Sequence, residues 1–265
     1  MLKLSCWNVN SLPARIDLVK EFITQENPDV LIFQELKTIT ESFPYEFFSD
    51  LGYNSQVYGQ KTYNGVAIIS KHLVEETILG KEVFHEDEHA RYIESLINFN
   101  GQILRIGNVY VPNGGEVGSD KFEYKLKFLD RLYEHLQQVC SWKEHFVIGG
   151  DFNIAPENID VYDSSQLFNH TCFHVEEQKR LNKIFNLPLF DGYRLLHPNT
   201  QQFSWWDYRA GAFQRNQGMR IDHLLFSPQL IDYVEEIYFS KEFRSKPKPS
   251  DHIPLTALIN FNRGK

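Results

Sequence analysis

Five short polar clusters punctuate this chain, each at the end of a segment that reads as a β-strand. In order they are Trp7-Asn8-Val9-Asn10, Gln34-Glu35, the run from Asn108 to Asn113, Gly149-Gly150-Asp151-Phe152-Asn153, and Ser250-Asp251-His252. Carboxylates, amides, a tyrosine and a histidine stand where a sheet otherwise takes apolar residues. Together they describe an oxygen-rich site for a divalent cation, with the groups that hydrolysis of a phosphodiester needs. Magnesium prefers near-octahedral oxygen ligands, usually one or two carboxylates with water and substrate phosphate completing the shell.

Each cluster has a plain reading beside the chemical one. Glu35 closes the apolar run Val30-Leu31-Ile32-Phe33, where a carboxylate is costly unless paired or ligating. It is expected to ligate a metal; the alternative is a strand-end salt bridge. Asn8 can offer an amide oxygen to the same ion, hold Glu35, or simply form a turn. Asp151 and Asn153 follow Phe146-Val147-Ile148-Gly149-Gly150, whose glycines allow close backbone approach and send both side chains to one side. An attacking water needs a proton acceptor and a second group to fix its direction, roles that suit this pair. An Asx-turn is the alternative. Asp222 and Asp251-His252 can form a carboxylate–imidazole arrangement, in which an Asp fixes the ring's tautomer and favours its charged form; a surface or core histidine is the alternative. His223 should face the other side of its strand. His85, His89, His135, His145, His170, His174 and His197 are assigned to surface or core. Tyr110 reads equally as core or site. The run Phe203-Ser204-Trp205-Trp206-Asp207-Tyr208-Arg209 is either a core-capping loop or an aromatic wall for a sugar, with Arg209 on a phosphate.

Positioning these groups requires strands. Alternation predicts them at 2–8, 29–35, 64–70, 91–99, 102–111, 145–151, 221–227 and 254–261. Apolar stripes predict helices at about 13–26, 120–140 and 175–186. Ser11 is the expected N-cap of the first, with Pro13 in its first turn, and Asp120 with Glu123 has capping-box spacing in the second. Strands outnumber helices and several are joined by short turns. That predicts an α/β (α+β) four-layer sandwich, two packed mixed sheets flanked by helices, spanning 1–265 as one domain. Polar clusters follow some strands and precede others, so strands running both ways can bring them to one edge.

Composition sets the outer limits. A chain of 265 residues with 42% hydrophobic content, 21 Phe and 13 Tyr can build a large core. No apolar stretch approaches a bilayer span, and the N-terminus lacks signal-peptide anatomy. Cys6, Cys140 and Cys172 are too scattered for a disulfide or zinc framework. A cytoplasmic, membrane-free monomer is the expectation, with Cys6 a small core residue. The net charge of −8 argues against indiscriminate nucleic-acid binding but does not exclude a nuclease, whose footprint charge is local. Acid gathers at Glu75, Glu76, Glu82, Glu86, Asp87 and Glu88, expected on a face turned from any polyanion. Base gathers at Lys179, Arg180 and Lys183, at Arg209, Arg215 and Arg220, and at Lys241, Arg244, Lys246 and Lys248.

The motifs WNVNS at 7–11, QE at 34–35, NVYVPNG at 108–114, GDFNIAP at 150–156, FSWWDYR at 203–209, MRIDHLL at 219–225 and PSDH at 249–252 span nearly the whole chain. On them the chain closely resembles the exonuclease III family of abasic-site endonucleases, within the endonuclease/exonuclease/phosphatase fold. The resemblance implies a Mg²⁺-dependent (Mn²⁺-tolerant) DNA-repair phosphodiesterase acting on double-stranded DNA with abasic sites or blocked 3′ ends. It implies metal ligation by Glu35, supported by Asn8 and, depending on the metal number, by Asp151, Asn153, Asp251 and His252. It implies phosphate contacts by Tyr110 and by His252, which Asp222 orients, and water activation by Asp151 with Asn153. Asn113 falls in the DNA-contacting loop, and Trp205, Trp206 and Met219 fall where the family builds a pocket for a base-less sugar. Pro13 departs from relatives, which often carry a basic residue there. The competing readings are a phosphatase of the same fold acting on small phosphate esters, and a DNA-binding module with a decayed site.

Overall fold

The computed structural model describes residues 1–84 and 87–262. His85 and Glu86 lie outside the described residues. Along the central strands alternate side chains serve different cores. In β1 (Leu2–Asn8), Leu2, Leu4 and Cys6 point between two sheets, and Trp7 points outward. In β2 (Val30–Gln34), Val30 and Ile32 point inward, and Leu31 and Phe33 outward. Period-two alternation lets each strand close two layers at once.

The other strands are β3 (Asn54–Tyr58), β4 (Val66–Ser70), β5 (Leu73–Leu79), β6 (Tyr92–Phe99), β7 (Gln102–Tyr110), β8 (His145–Asp151), β9 (Phe190–Asp191), β10 (Asp222–Phe226), β11 (Val234–Phe239) and β12 (Leu255–Ile259). They form two six-stranded sheets, ordered β11-β12-β1-β2-β4-β3 and β5-β6-β7-β8-β10-β9. The helices are α1 (Leu12–Glu26), α2 (Tyr45–Asp50), α3 (Gly80–Val83), α4 (Asp120–Ser141), α5 (Ser164–Leu167), α6 (Val175–Asn186), α7 (Gly192–Leu196) and α8 (Pro228–Ile231). α1 covers the outer face of the first sheet with Leu18, Val19, Phe22 and Ile23. α4 and α6 cover the second with Phe128, Leu132, Leu136, Leu181 and Ile184. The expected four-layer sandwich is therefore present.

Two parallel pairs set up the site. β1 pairs with β2 across α1, and β7 pairs with β8 across α4. A parallel pair ends on one edge, so Asn8 and Glu35 emerge together, as do Tyr110 and Asp151. Gly149 permits the two sheets to meet near that edge: a Cβ there would lie 2.4 Å from Leu224 Cδ2 and 2.6 Å from Ile32 Cδ1. At Gly150, with φ of +148°, a Cβ would lie 1.9 Å from the Val109 carbonyl oxygen. Two polar residues from the sequence clusters stay between the sheets. Gln34 Nε2 donates to Asn108 Oδ1 at 2.7 Å, and Asn108 Nδ2 donates to the carbonyls of Phe33 and Ala67.

Several sequence expectations are corrected. Alternation does not mark β3, β5, β9 and β11, which are the four edge strands. Half-solvated edges lack apolar alternation, and β5 and β11 also carry bulges. Ser11 makes no side-chain cap on α1 and has φ of 90°. The cap of α4 is Ser119, whose hydroxyl accepts from the Phe122 N–H, rather than a box at Asp120. Arg220 is no surface base; it is buried between Asp160 and Asp191, at 2.7 Å from each. Arg244 is likewise buried and donates to the Trp206 carbonyl. Asp87 is not on an acidic surface but buried, accepting from Tyr124 and Arg131.

Candidate active site

Strand register gathers the chemistry. Asp151, the last residue of β8, lies opposite Tyr110 in parallel register and opposite Asp222 in antiparallel register. Isolated bridges pair Trp205 with Met219 and with His252. Ser250 Oγ donates to the Asn8 carbonyl at 2.7 Å and accepts from the His252 N–H, tying the segment before β12 to the end of β1. The backbone at the rim is unusual. Asn10, Glu35, Lys37 and Asn153 all have positive φ, between 45° and 53°. Such residues cost on the order of 1 kcal/mol each and persist only where the surroundings over-determine them.

At the floor, Asn8 Nδ2 donates to Glu35 Oε1 at 3.0 Å and to Asp151 Oδ2 at 2.9 Å, while its oxygen accepts from the Asn10 N–H. Asn8 thus presents its NH₂ and braces both carboxylates. Lys37 Nζ lies 2.9 Å from Glu35 Oε2 and also donates to Asn10 Oδ1. Asn153 donates through its backbone N–H to Asp151 Oδ1 at 2.8 Å, and through Nδ2 to the Val111 carbonyl and to Asp151 Oδ2. Its Oδ1 accepts from Asn113 Nδ2. His252 Nδ1 bonds Asp222 Oδ2 at 2.8 Å, and Nε2 lies 3.6 Å from Asp151 Oδ2. Tyr110 faces the site rather than the core alone, and the Arg91 guanidinium stacks on its ring at 4.8 Å.

Charge is concentrated here away from water. Burial disfavours a charged His252 ring, but Asp222 and Asp151 outweigh it and push the imidazolium up to about 10. Burial pushes the Asp151 carboxyl up to about 7; His252 opposes this, and Asp222 and Glu35 add to it. Burial, then Glu35 and Asp151, hold the Tyr110 hydroxyl well above its ordinary range, so it remains a donor.

These groups open into a cavity of about 370 Å³. Of the sequence-expected residues, it brings together Glu35, Tyr110, Asn113, Asp151, Asn153, Trp205, Met219, Asp251 and His252. Asp251 is held off the carboxylate cluster: Oδ1 accepts from Asn10 Nδ2 at 2.9 Å and Oδ2 from Trp205 Nε1 at 3.0 Å. Trp206 is corrected from pocket wall to core. It is fully buried against Phe203, Ala212 and Ile253, because the bridges of Trp205 turn the next side chain to the other face. Arg209 is largely exposed and pairs with Asp207, lining a neighbouring groove that shares Trp205 and Met219 with the cavity. Sequence reasoning gave no role to Lys37, Thr171, Cys172 or Ile221, which also line the cavity. Lys37 carried one signal, a cation two residues beyond the expected ligand.

The Glu35 and Asp151 carboxylates fit a hard divalent cation, with the charged His252 ring beside them. Glu35, Asp151 and His252 each offer an atom within 4.8 Å of the others, the one such group of His, Cys, Asp and Glu among the described residues. Two close carboxylates, one with raised proton affinity, are a pairing that a cation relieves. A mixed α/β sandwich with this cluster at one sheet edge, a charged imidazole and an enclosed aromatic wall defines a metal-dependent phosphoester hydrolase. The sequence pattern of the Endonuclease/Exonuclease/phosphatase family matches residues 6–252, and this chain belongs to that family. Exodeoxyribonuclease III of Haemophilus influenzae is 33% identical over 264 residues, covering 97% of this chain and 99% of the relative. A 3′ phosphatase from Neisseria, solved with a product DNA hairpin, superposes with a TM-score of 0.94 at 34% identity, covering 98% of this chain and all of that one. An AP endonuclease from Archaeoglobus fulgidus gives 0.92 at 37% identity, covering 98% and 99%. The chain is a metal-dependent nuclease of the DNA-repair branch.

Proposed function

We propose that this chain cleaves duplex DNA 5′ to abasic sites, leaving a 3′-hydroxyl and a 5′ deoxyribose phosphate, with Mg²⁺ as its ion and Mn²⁺ as a substitute. The observation that carries this is one cavity holding both the Glu35–Asp151–His252 cluster and the wall of Trp205, Met219 and Ile221. On this reading the wall selects a bare deoxyribose over one that carries its base. Glu35 and Asp151 are the anionic residues that would hold the ion, which supplies charge neutralisation at the phosphate and the leaving oxygen. A ring held charged by Asp222 donates from Nε2, so His252 serves the phosphate rather than the metal. The Tyr110 hydroxyl donates to the same phosphate. Asp151 accepts the proton of the attacking water, with proton affinity near the working pH, and Asn153 fixes the direction of attack.

The test is cleavage of a labelled duplex carrying one tetrahydrofuran abasic analogue, with and without EDTA. Incision 5′ to the analogue that EDTA abolishes is the expected result; cleavage restricted to soluble phosphate esters would refute it. A second activity, removal of 3′ phosphates, is favoured by the likeness to the Neisseria 3′ phosphatase. A 3′-phosphorylated duplex end is its assay, and an unchanged end rejects it.

A further inference from the structure

The helices over the second sheet carry a buried ion pair that the chemistry above does not use. Lys125 on α4 and Glu177 on α6 are both fully buried, and Lys125 Nζ donates to Glu177 Oε1. A buried pair is tolerated when its remaining hydrogen-bonding capacity is filled. Here the loops of the active site fill it. Nζ also donates to the carbonyls of Asn153 at 2.7 Å and Asn113 at 3.1 Å, which uses all three ammonium protons. Glu177 Oε1 accepts from the Cys172 N–H at 3.2 Å, and Oε2 accepts from the His174 N–H at 3.0 Å. The Lys125 stem packs under Gly114, where φ is +93° and a Cβ would lie 2.9 Å from Lys125 Cδ. One ion pair therefore pins three loops: those after β7 and β8, and the one leading into α6. Each lends a side chain to the cavity, namely Asn113, Asn153 and Cys172.

We propose that the Lys125–Glu177 pair is a positioning device that sets turnover through Asn153 and Asn113 more strongly than it sets metal affinity. The carbonyl it grips belongs to Asn153, held at φ of 51° with its N–H and NH₂ both on Asp151. Release of that carbonyl swings the amide away from Asp151. Glu35 and Asn8, on the first sheet, make no bond to the pair, whereas Asp151 feels it only at one remove, through Asn153. Apolar side chains of similar volume would still pack α4 against α6, but they cannot grip the Asn153 and Asn113 carbonyls or answer the Cys172 and His174 N–H groups, so some stability is lost with them. This inference rests on the role given above to Asn153.

The experiment compares the full chain with the double variant Lys125→Met/Glu177→Leu and with Glu177→Gln. Glu177→Gln keeps the volume but sets an NH₂ against the Cys172 or His174 N–H. Five quantities are read: kcat and KM on the tetrahydrofuran duplex, Mn²⁺ affinity by calorimetry, melting by circular dichroism, and the NMR resonance of the Asn153 side-chain NH₂. The expected result is a folded double variant with kcat lowered about tenfold or more, a loss of about threefold in Glu177→Gln, KM within about twofold, and Mn²⁺ affinity lowered by much less than kcat. The Asn153 resonance should move in both. A folded variant with wild-type kcat and an unmoved Asn153 resonance overturns the proposal, and so does a fall in Mn²⁺ affinity that matches the fall in kcat. If the double variant does not fold, Glu177→Gln decides by the same criteria. Failure of the underlying reading looks different: Asn153→Ala then turns over at the wild-type rate, or the wild-type chain leaves the duplex uncut, while the NMR shift still reports whether the pair positions Asn153.

Discussion

Asp222→Asn isolates the electrostatic part of the site. The substitution keeps shape and volume and removes one charge from a buried contact, 2.8 Å between Asp222 Oδ2 and His252 Nδ1. Both side chains are almost wholly out of water, so solvent does not screen the loss. Asp222 Oδ1 has no hydrogen-bond partner among the described residues, so the change breaks no other side-chain bond of Asp222 there. What goes is the stabilisation of the imidazolium, whose largest favourable contribution comes from Asp222. A buried hydrogen bond to a charged group is worth about 1.5–3 kcal/mol, or roughly ten- to hundredfold in rate. Since His252 is engaged most strongly as charge builds on the phosphate, the loss should fall on kcat, with KM nearly unchanged. The assay is steady-state incision of the tetrahydrofuran duplex at saturating Mg²⁺, with calorimetry to verify that metal affinity is retained. A rise in KM at constant kcat, or kcat within about twofold of wild type, would refute the argument that a charged ring stabilises the transition state.

Glu35→Gln removes a ligand charge at constant volume, so Mg²⁺ should cease to raise Tm and cleavage should fall by about 10–100-fold or more; full activity at low Mg²⁺ would contradict this. The two tryptophans should separate: Trp205→Ala should fold and lose discrimination between abasic and intact DNA, whereas Trp206→Ala should cost about 3–5 kcal/mol of stability, read from urea unfolding, because its ring is fully buried. Acid stability should depend on Asp191. Burial pushes its carboxyl up, but Arg220 and His223 outweigh that and hold it below its ordinary value. A lowered folded value gives stability that is present above the unfolded value, about pH 4, and is lost as pH falls through the folded one. The Tm gap between wild type and Asp191→Asn should thus be widest above about pH 4 and close below it, as melts from pH 3 to 7 would show.

The sequence by itself determined the framework and most of the chemistry. Alternating apolar residues specify the central strands because one strand must satisfy two cores, and a carboxylate such as Glu35 after Val30-Leu31-Ile32-Phe33 is conspicuous because burial penalises it. Edge strands were illegible for the converse reason: β3, β5, β9 and β11 are half solvated, so no period marks them. Tertiary structure alone decided matters that turn on direction. Trp205 and Trp206 are adjacent and chemically alike, yet the bridges to Met219 and His252 send one ring to the cavity and the other to the core. Tyr110 was ambiguous until its register with Asp151 placed it at the rim. Arg220 read as a surface base until Asp160 and Asp191, distant in sequence, closed around it. Lys125 and Glu177 sit on separate helices, and no local pattern announces that they meet beneath Asn153. Burial preference is a property of each residue and its neighbours along the chain; which face a side chain takes, and which partner answers its charge, is set by contacts between segments that only folding brings together.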